Sequence, residues 1–220
     1  MVNGMSNLNN QINYNLCEPC LLGKICRQPF NRKGYRARRP LEIVHTDVCG
    51  PITPRTWDGK NYFVTFIDDY THFTDLYLIN HKWEVLDRFK HYYYMATKHF
   101  NTNLLKLRMD NGGEYTSNEF RDFCSREGIL MQHTVPYNPE MNGVAERMNR
   151  TLMDKARTML IDSELNKEFW GEAVLFSAYV TNRSPVAGRD KTPSELWEGR
   201  KPDVSNLRVF GCAAYNYVPK

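Results

Sequence analysis

From residue 40 onward the apolar positions fall into two distinct periods. Residues 42–49 read as a buried strand that Gly50-Pro51 turns. Asp58-Gly59 gives a hairpin signal feeding a second strand, Tyr62 to Asp68. A third, Phe73 to Ile79, follows a polar turn at Tyr70 to His72. The period then becomes helical, with Trp83, Leu86, Phe89, Tyr93 and Ala96 or Thr97 on one face of a helix that runs to Phe100. The run Tyr92-Tyr93-Tyr94 could stack on bases, but at this spacing it reads as core. Leu104 to Met109 is a short strand ending at Asp110. Thr116 and Glu119 have capping-box spacing for a helix that stops at Gly128. Ile129 to His133 is the fifth strand. Three meander strands, helix, strand, helix, strand and long helix predict an α/β fold: a five-stranded mixed sheet with helices on both faces.

The long helix follows the Pro/Asn/Gly-rich stretch TVPYNPEMNG, residues 134–143. With Glu146 at zero on a wheel of about 100° per residue, Met153 and Arg157 fall within roughly 20° of it and Arg150 at about 40°. Leu152, Met159, Ala145 and Ala156 gather between about −80° and −140°, so that flank packs and the other shows one acid followed by two arginines. An exposed i, i+4 ion pair between Glu146 and Arg150, worth ~0.3–0.5 kcal/mol, is the plain alternative.

Three acids then stand out. Asp47 ends the first strand inside IVHTDVCGP, Asp110 ends the fourth at DNGGEY, and Glu146 opens the long helix, with 35 residues between the last two. Cutting or rejoining a phosphodiester requires an activated oxygen nucleophile and a stabilised leaving oxygen, and two Mg²⁺ ions ~3.5–4 Å apart supply both. Mg²⁺ takes oxygen ligands and keeps water, so three carboxylates suffice. In this reading Asp47 bridges both ions, while Asp110 and Glu146 hold one each. Asp68-Asp69 and Glu114 compete for these roles. The pair reads as a turn acid and a hydrogen-bonded strand acid, and Glu114 as a loop residue.

Charge adds a partner class. Residues 1–39 carry seven bases against Glu18, a net of +6; the whole chain carries +4, so the rest is −2. A cationic arm on a slightly acidic body suits a polyanion, although a solvated linker or an import signal has the same composition. Residues 1–15 are polar, Asn-rich and aperiodic, and are expected to be disordered. No apolar run approaches the ~20 residues of a membrane span, and no signal-peptide series opens the chain. Six cysteines without dense, even spacing point to a reducing, intracellular compartment. Cys17 and Cys20 form half of a zinc-site spacing. No histidine precedes His45 and only Cys26 lies nearby, so the pair is an incomplete zinc site.

Seven blocks carry a resemblance. HTDVCGP (45–51), DNGGEY (110–115) and PYNPEMNGVAER (136–147) resemble the two-aspartate, one-glutamate signature of retroelement integrases. FWGEA (169–173), NRSP (182–185), TPSELW (192–197) and LRVFGC (207–212) are similar to the copia-type LTR retrotransposon branch. The resemblance covers residues 17–218 and implies a ribonuclease H-like fold. It also implies Mg²⁺ or Mn²⁺ dependence with two ions per site, and an enzyme that processes 3′ ends and transfers strands. By motif match Asp47, Asp110 and Glu146 become the metal ligands. Tyr137 to Gly143 becomes a loop beside the scissile phosphate. Asn111, Gly112, Tyr137, Asn138, Asn142, Arg147, Arg150 and Arg157 become DNA-binding candidates. The implied partners are double-stranded DNA, both element ends and target, and further copies of the chain, with no membrane and with the nucleus as the place of action.

The family's zinc module pairs two His with two Cys, and here the His half is missing. The expected organisation is therefore a basic arm with a zinc-module remnant (1–39), a catalytic core (40–185) and a C-terminal extension of that core (186–220). On this reading the chain is a truncated piece of a Pol polyprotein, a decayed copy or a host-retained gene. Two further readings stay open: a catalytically silent DNA-binding or oligomerisation module, and a ribonuclease acting on RNA–DNA hybrids.

Overall fold

The computed structural model describes residues 35–133 and 143–214. The chain divides into two compact units, Met1–Tyr35 and Arg36–Lys220, and the second holds every element below. Cys17, Cys20 and most of the basic arm lie outside the described residues.

Five strands form one sheet: β1 (Ile43–Cys49), β2 (Tyr62–Asp68), β3 (Thr74–Ile79), β4 (Lys106–Met109) and β5 (Leu130–His133). Their spatial order is β3-β2-β1-β4-β5. The neighbouring pairs β1–β2 and β2–β3 are antiparallel, whereas β1–β4 and β4–β5 run parallel. The sheet is thus mixed, as the order of elements predicts. The helices are α1 (Val85–Phe100), α2 (Asn118–Arg126), α3 (Gly143–Ser163), α4 (Trp170–Arg183) and α5 (Pro193–Glu198).

Strand alternation sorts the side chains into two cores. Val44, Val64, Phe66, Leu107 and Met109 pack with Phe89, Tyr92 and Tyr93 of α1 and with Phe120 and Phe123 of α2. Phe63 and Leu76 face the other way, against Leu152 and Ala156 of α3 and Trp170, Ala173 and Val174 of α4. Of the tyrosine run, Tyr92 and Tyr93 are buried and Tyr94 is exposed. Among the described residues no helix is long and apolar enough to cross a membrane.

Three local expectations give way to neighbouring interactions. Asp58-Gly59 lies within a long connection between β1 and β2, where Gly59 N donates to Thr56 O at 2.8 Å, and is not a direct hairpin turn. That connection is anchored by the Trp170 indole, which donates to Pro54 O at 2.9 Å. Thr116 is drawn into a 3-10 turn, Gly113–Tyr115, and donates to Gly113 O, so the cap passes to Ser117, which accepts from Phe120 N. The expected Thr116–Glu119 box does not form. Trp83 sits in a 3-10 turn, Lys82–Glu84, which takes it off the α period, and it is 71 % exposed.

The last segment closes against the sheet edge. Asn182 Nδ2 donates to Thr74 O at 2.8 Å, and Asn182 Oδ1 accepts from Thr74 N at 2.9 Å, pairing both backbone groups at the start of β3. Trp197 of α5 stacks on Phe73 at 4.6 Å between centroids and meets Phe100 edge-on at 4.8 Å. Gly171 is needed where α4 crosses β3, because a Cβ there would lie 2.8 Å from Thr56 and 2.9 Å from Leu78. Asn182→Ala leaves two buried backbone groups unpaired, and a urea titration is expected to show a loss of about 1–3 kcal/mol.

Candidate active site

The register of the parallel pair brings the first two acids together. Ile43 faces Lys106 and His45 faces Arg108 across β1 and β4. Counting two residues further along both chains sets Asp110 beside Asp47, on the same face by strand alternation. Strands lie ~4.8 Å apart, so these carboxylates are neighbours by construction. Glu146 arrives from the first turn of α3, which packs on that face through Ala145, Leu152 and Ala156.

Asp47 registers the company it keeps. Its carboxyl is pushed up to about 7, first by burial and next by the charge of Asp110, with Glu146 adding to it; a hydrogen bond from Asn149 pulls the other way. Asn149 Nδ2 donates to Asp47 Oδ2 at 2.9 Å, while its Oδ1 accepts from Thr65 Oγ1 at 2.8 Å. Thr65 is the Cα partner of Asp47 across β1 and β2. Asn149 is only 4 % exposed, and this bridge joins α3 to two strands and fixes the Asp47 side chain.

Asp110 is steadied by its own loop, since Gly112 N donates to Asp110 Oδ1 at 2.9 Å. A Cβ on Gly112 would stand 2.9 Å from that oxygen and 2.7 Å from Glu114 Cδ, so the turn tolerates only glycine without shifting an acid. Tyr115, fully buried, pins the same loop to β1 through a 2.9 Å hydroxyl contact with Thr46 Oγ1.

All-oxygen donors at this spacing have the chemistry to hold a hard divalent cation. Among the described residues no three His, Cys, Asp or Glu side chains are gathered closely enough as they stand to form a ligand set. Two carboxylates ~4 Å apart repel by ~4 kcal/mol at an effective dielectric of roughly 20. Asp47 feels the charge of both Asp110 and Glu146, and a cation between them would relieve that repulsion. The residues therefore fit such an ion.

The competing acids are committed elsewhere. Asp68 accepts from Thr71 N and Oγ1 and from Leu41 N. Asp69 accepts from Arg36, from the Ala37 amide and from His45 Nε2 at 3.0 Å. Burial pushes Asp69 up, but the bonds from His45 and Ala37 more than offset it, and its carboxyl lies well below the ordinary value. Burial holds His45 below its usual pKa, so the imidazole is neutral and donates through Nε2. Glu114 pairs with Lys82 at 3.4 Å.

Of the residues matched to DNA contact, Asn111, Arg147 and Arg150 are exposed beside the acids in sequence, and Gly112 belongs to the Asp110 turn. Arg157, further along α3, is held by Asp154 at 2.8 Å. Glu146 has no ion-pair partner among the described residues, so the simple Glu146–Arg150 pair is not made. Tyr137, Asn138 and Asn142 lie outside the described residues. Asn149 and Thr65 were not anticipated from sequence. The signal was present, since a wheel sets Asn149 about 60° from Glu146 toward the packed flank, where a polar side chain requires a partner.

The Integrase core domain family model matches residues 37–139. Among solved structures, the HTLV-2 integrase catalytic core domain in complex with magnesium aligns with a TM-score of 0.55 at 18 % identity, over 73 % of this chain and 99 % of that one. A chain of the simian T-cell lymphotropic virus intasome with PP2A regulatory subunit B56 gamma aligns with a TM-score of 0.65, also at 18 % identity, over 90 % and 74 %. The class is therefore the ribonuclease H-like integrase core. The chain is also 43 % identical over 205 residues to the Retrovirus-related Pol polyprotein from transposon TNT 1-94 of Nicotiana tabacum, covering 93 % of this chain and 15 % of that protein. It is 32 % identical over 202 residues to the Transposon Ty1-LR3 Gag-Pol polyprotein of Saccharomyces cerevisiae, covering 89 % and 12 %. Within the class the chain belongs to the retrotransposon integrases, in keeping with its copia-type motifs, and it spans about 15 % of the first of these relatives.

The raised Asp47 carboxyl predicts a pH signature. Its folded value, about 7, stands above the ~3.9 of an unfolded aspartate, so the native state binds the extra proton between these limits. That contribution is fully present below pH ~4 and is lost as pH rises through 7. In buffer with chelator, Asp47→Asn is expected to melt above the wild type at pH 8, with the gap narrowing as pH falls and closing by about pH 4. A constant gap in thermal melts would contradict the coupling.

Proposed function

We propose that this chain is the catalytic core of a retrotransposon integrase that cleaves and joins DNA phosphodiesters with divalent metal. The observation that carries this is the electrostatic convergence of Asp110 and Glu146 on Asp47, from three separate elements. The magnesium bound by the HTLV-2 core supports the choice of cation. Asp47, Asp110 and Glu146 would hold the metal, with Asp47 as the shared ligand of two ions. A divalent metal held by these residues would supply activation of a hydroxyl or water and stabilisation of the leaving oxygen.

The chain's own residues do the rest. Asn149 and Thr65 hold the Asp47 carboxylate in place, and the Gly112 amide holds Asp110. Arg147 and Arg150, exposed on the first turns of α3, and Asn111, exposed in the loop after Asp110, would meet the phosphate backbone. Residues 40–185 serve as the core, 186–220 as its C-terminal extension, and 1–39 as a cationic arm. The intasome and the dimeric core among the structural neighbours support action as an oligomer on DNA ends and target, and the nucleus is the expected place.

Glu146→Gln is expected to lower strand transfer or disintegration with Mg²⁺ or Mn²⁺ by roughly a hundredfold or more, the scale of losing one preorganised electrostatic group. Asp122→Asn, on the exposed side of α2, changes it by less than about twofold. Wild-type protein that retains DNA but yields no product under any divalent metal would instead identify a silent binding module. Arg150→Ala is expected to weaken duplex binding whatever the sequence and to reduce the log–log salt slope by about 1, measured by anisotropy across a salt series.

A further inference from the structure

The hydrophobic period would bury Trp83, yet the 3-10 turn Lys82–Glu84 carries its indole into water. The ring lies flat on the His81 imidazole, with centroids 5.6 Å apart and planes at 13°. Trp83 lines a cleft of about 490 Å³ that runs to Gly113 and Glu114, on the loop that follows Asp110, with Lys82, Leu86 and Glu119 in its walls. Lys82 reaches across and meets Glu114 at 3.4 Å. One stretch of backbone thus joins the cleft to the acid: Gly112 donates to Asp110, and Gly113 and Glu114 line the cleft.

We propose that Trp83 and His81 form a stacking platform for an unpaired base at the end of the DNA on which Asp47, Asp110 and Glu146 act; this rests on the function proposed above. A flat aromatic pair held open to solvent offers a π-face that any base can cover. Lys82 and Glu114 pair with each other, which leaves Glu119 as the unbalanced charge in the lining, so a neutral base enters more readily than a phosphate. Carboxylates accept from the exocyclic amino groups of cytosine and adenine. An unpaired cytosine or adenine therefore fits better than thymine. A duplex end that frays at the catalytic acids would have its displaced base caught here, keeping the strands apart.

The test uses the full chain in EDTA, so that binding is read without chemistry. Anisotropy compares a blunt duplex with the same duplex carrying two unpaired cytidines, two thymidines or two abasic sites. The wild type is expected to prefer the cytidine end over the blunt and abasic ends by about tenfold, with thymidine between. Trp83→Ala abolishes that preference without weakening the blunt duplex, and Trp83→Tyr restores most of it. A preference unchanged in Trp83→Ala, or equal losses on blunt and unpaired ends, overturns the platform. Thermal melts confirm that each variant is folded. The two proposals fail separately: end preference without metal-dependent product overturns the integrase reading, and product from a protein indifferent to unpaired ends overturns the platform.

Discussion

The parallel pairing of β1 with β4 is the constraint on which the site depends. It sets two like charges next to each other at adjacent strand ends, and helix α3 adds a third. Nothing in the hydrophobic economy of the fold favours that placement. The sheet imposes it, and the neighbourhood adapts: Asn149 and Thr65 brace one carboxylate, the Gly112 amide braces the other, and Asp47 holds a proton to near neutrality. Strong neighbours on both sheet faces hold the backbone still while the side chains repel one another.

The motif blocks outside the acids have structural employment. Asn182 of NRSP satisfies the backbone at the start of β3, and Trp197 of TPSELW fills an aromatic nest with Phe73 and Phe100. Trp170 of FWGEA ties the β1–β2 connection, and Phe210 of LRVFGC lies 5.7 Å from Phe176 on α4. Trp170, Asn182 and Phe210 tie down α4, against which α3 packs. The copia-like blocks thus read as the scaffolding of the helix that delivers Glu146.

Much of this was legible along the chain because burial enforces period. Each strand lies close to where alternation or an apolar run placed it, and the packed flank of α3 holds Ala145, Leu152 and Ala156 as its wheel demands. What stayed hidden involves choices between near-equal local partners. Thr116 and Ser117 can both cap a helix, and the 3-10 turn ahead of them decides for Ser117. Trp83 fits the α period, but a tighter turn precedes the helix. The Thr65–Asn149–Asp47 bridge spans residues far apart in sequence, and no local pattern encodes it.

The parallel β1–β4 pair joins Ile43 to Lys106, and α3 must then close over β1 and β2. Contacts of such separation bear a large loop-closure entropy before they return any stabilisation, which slows folding. A chain still emerging from the ribosome therefore possesses its carboxylates long before it gathers them. Assembly of the acid cluster waits on cooperative closure of the whole sheet.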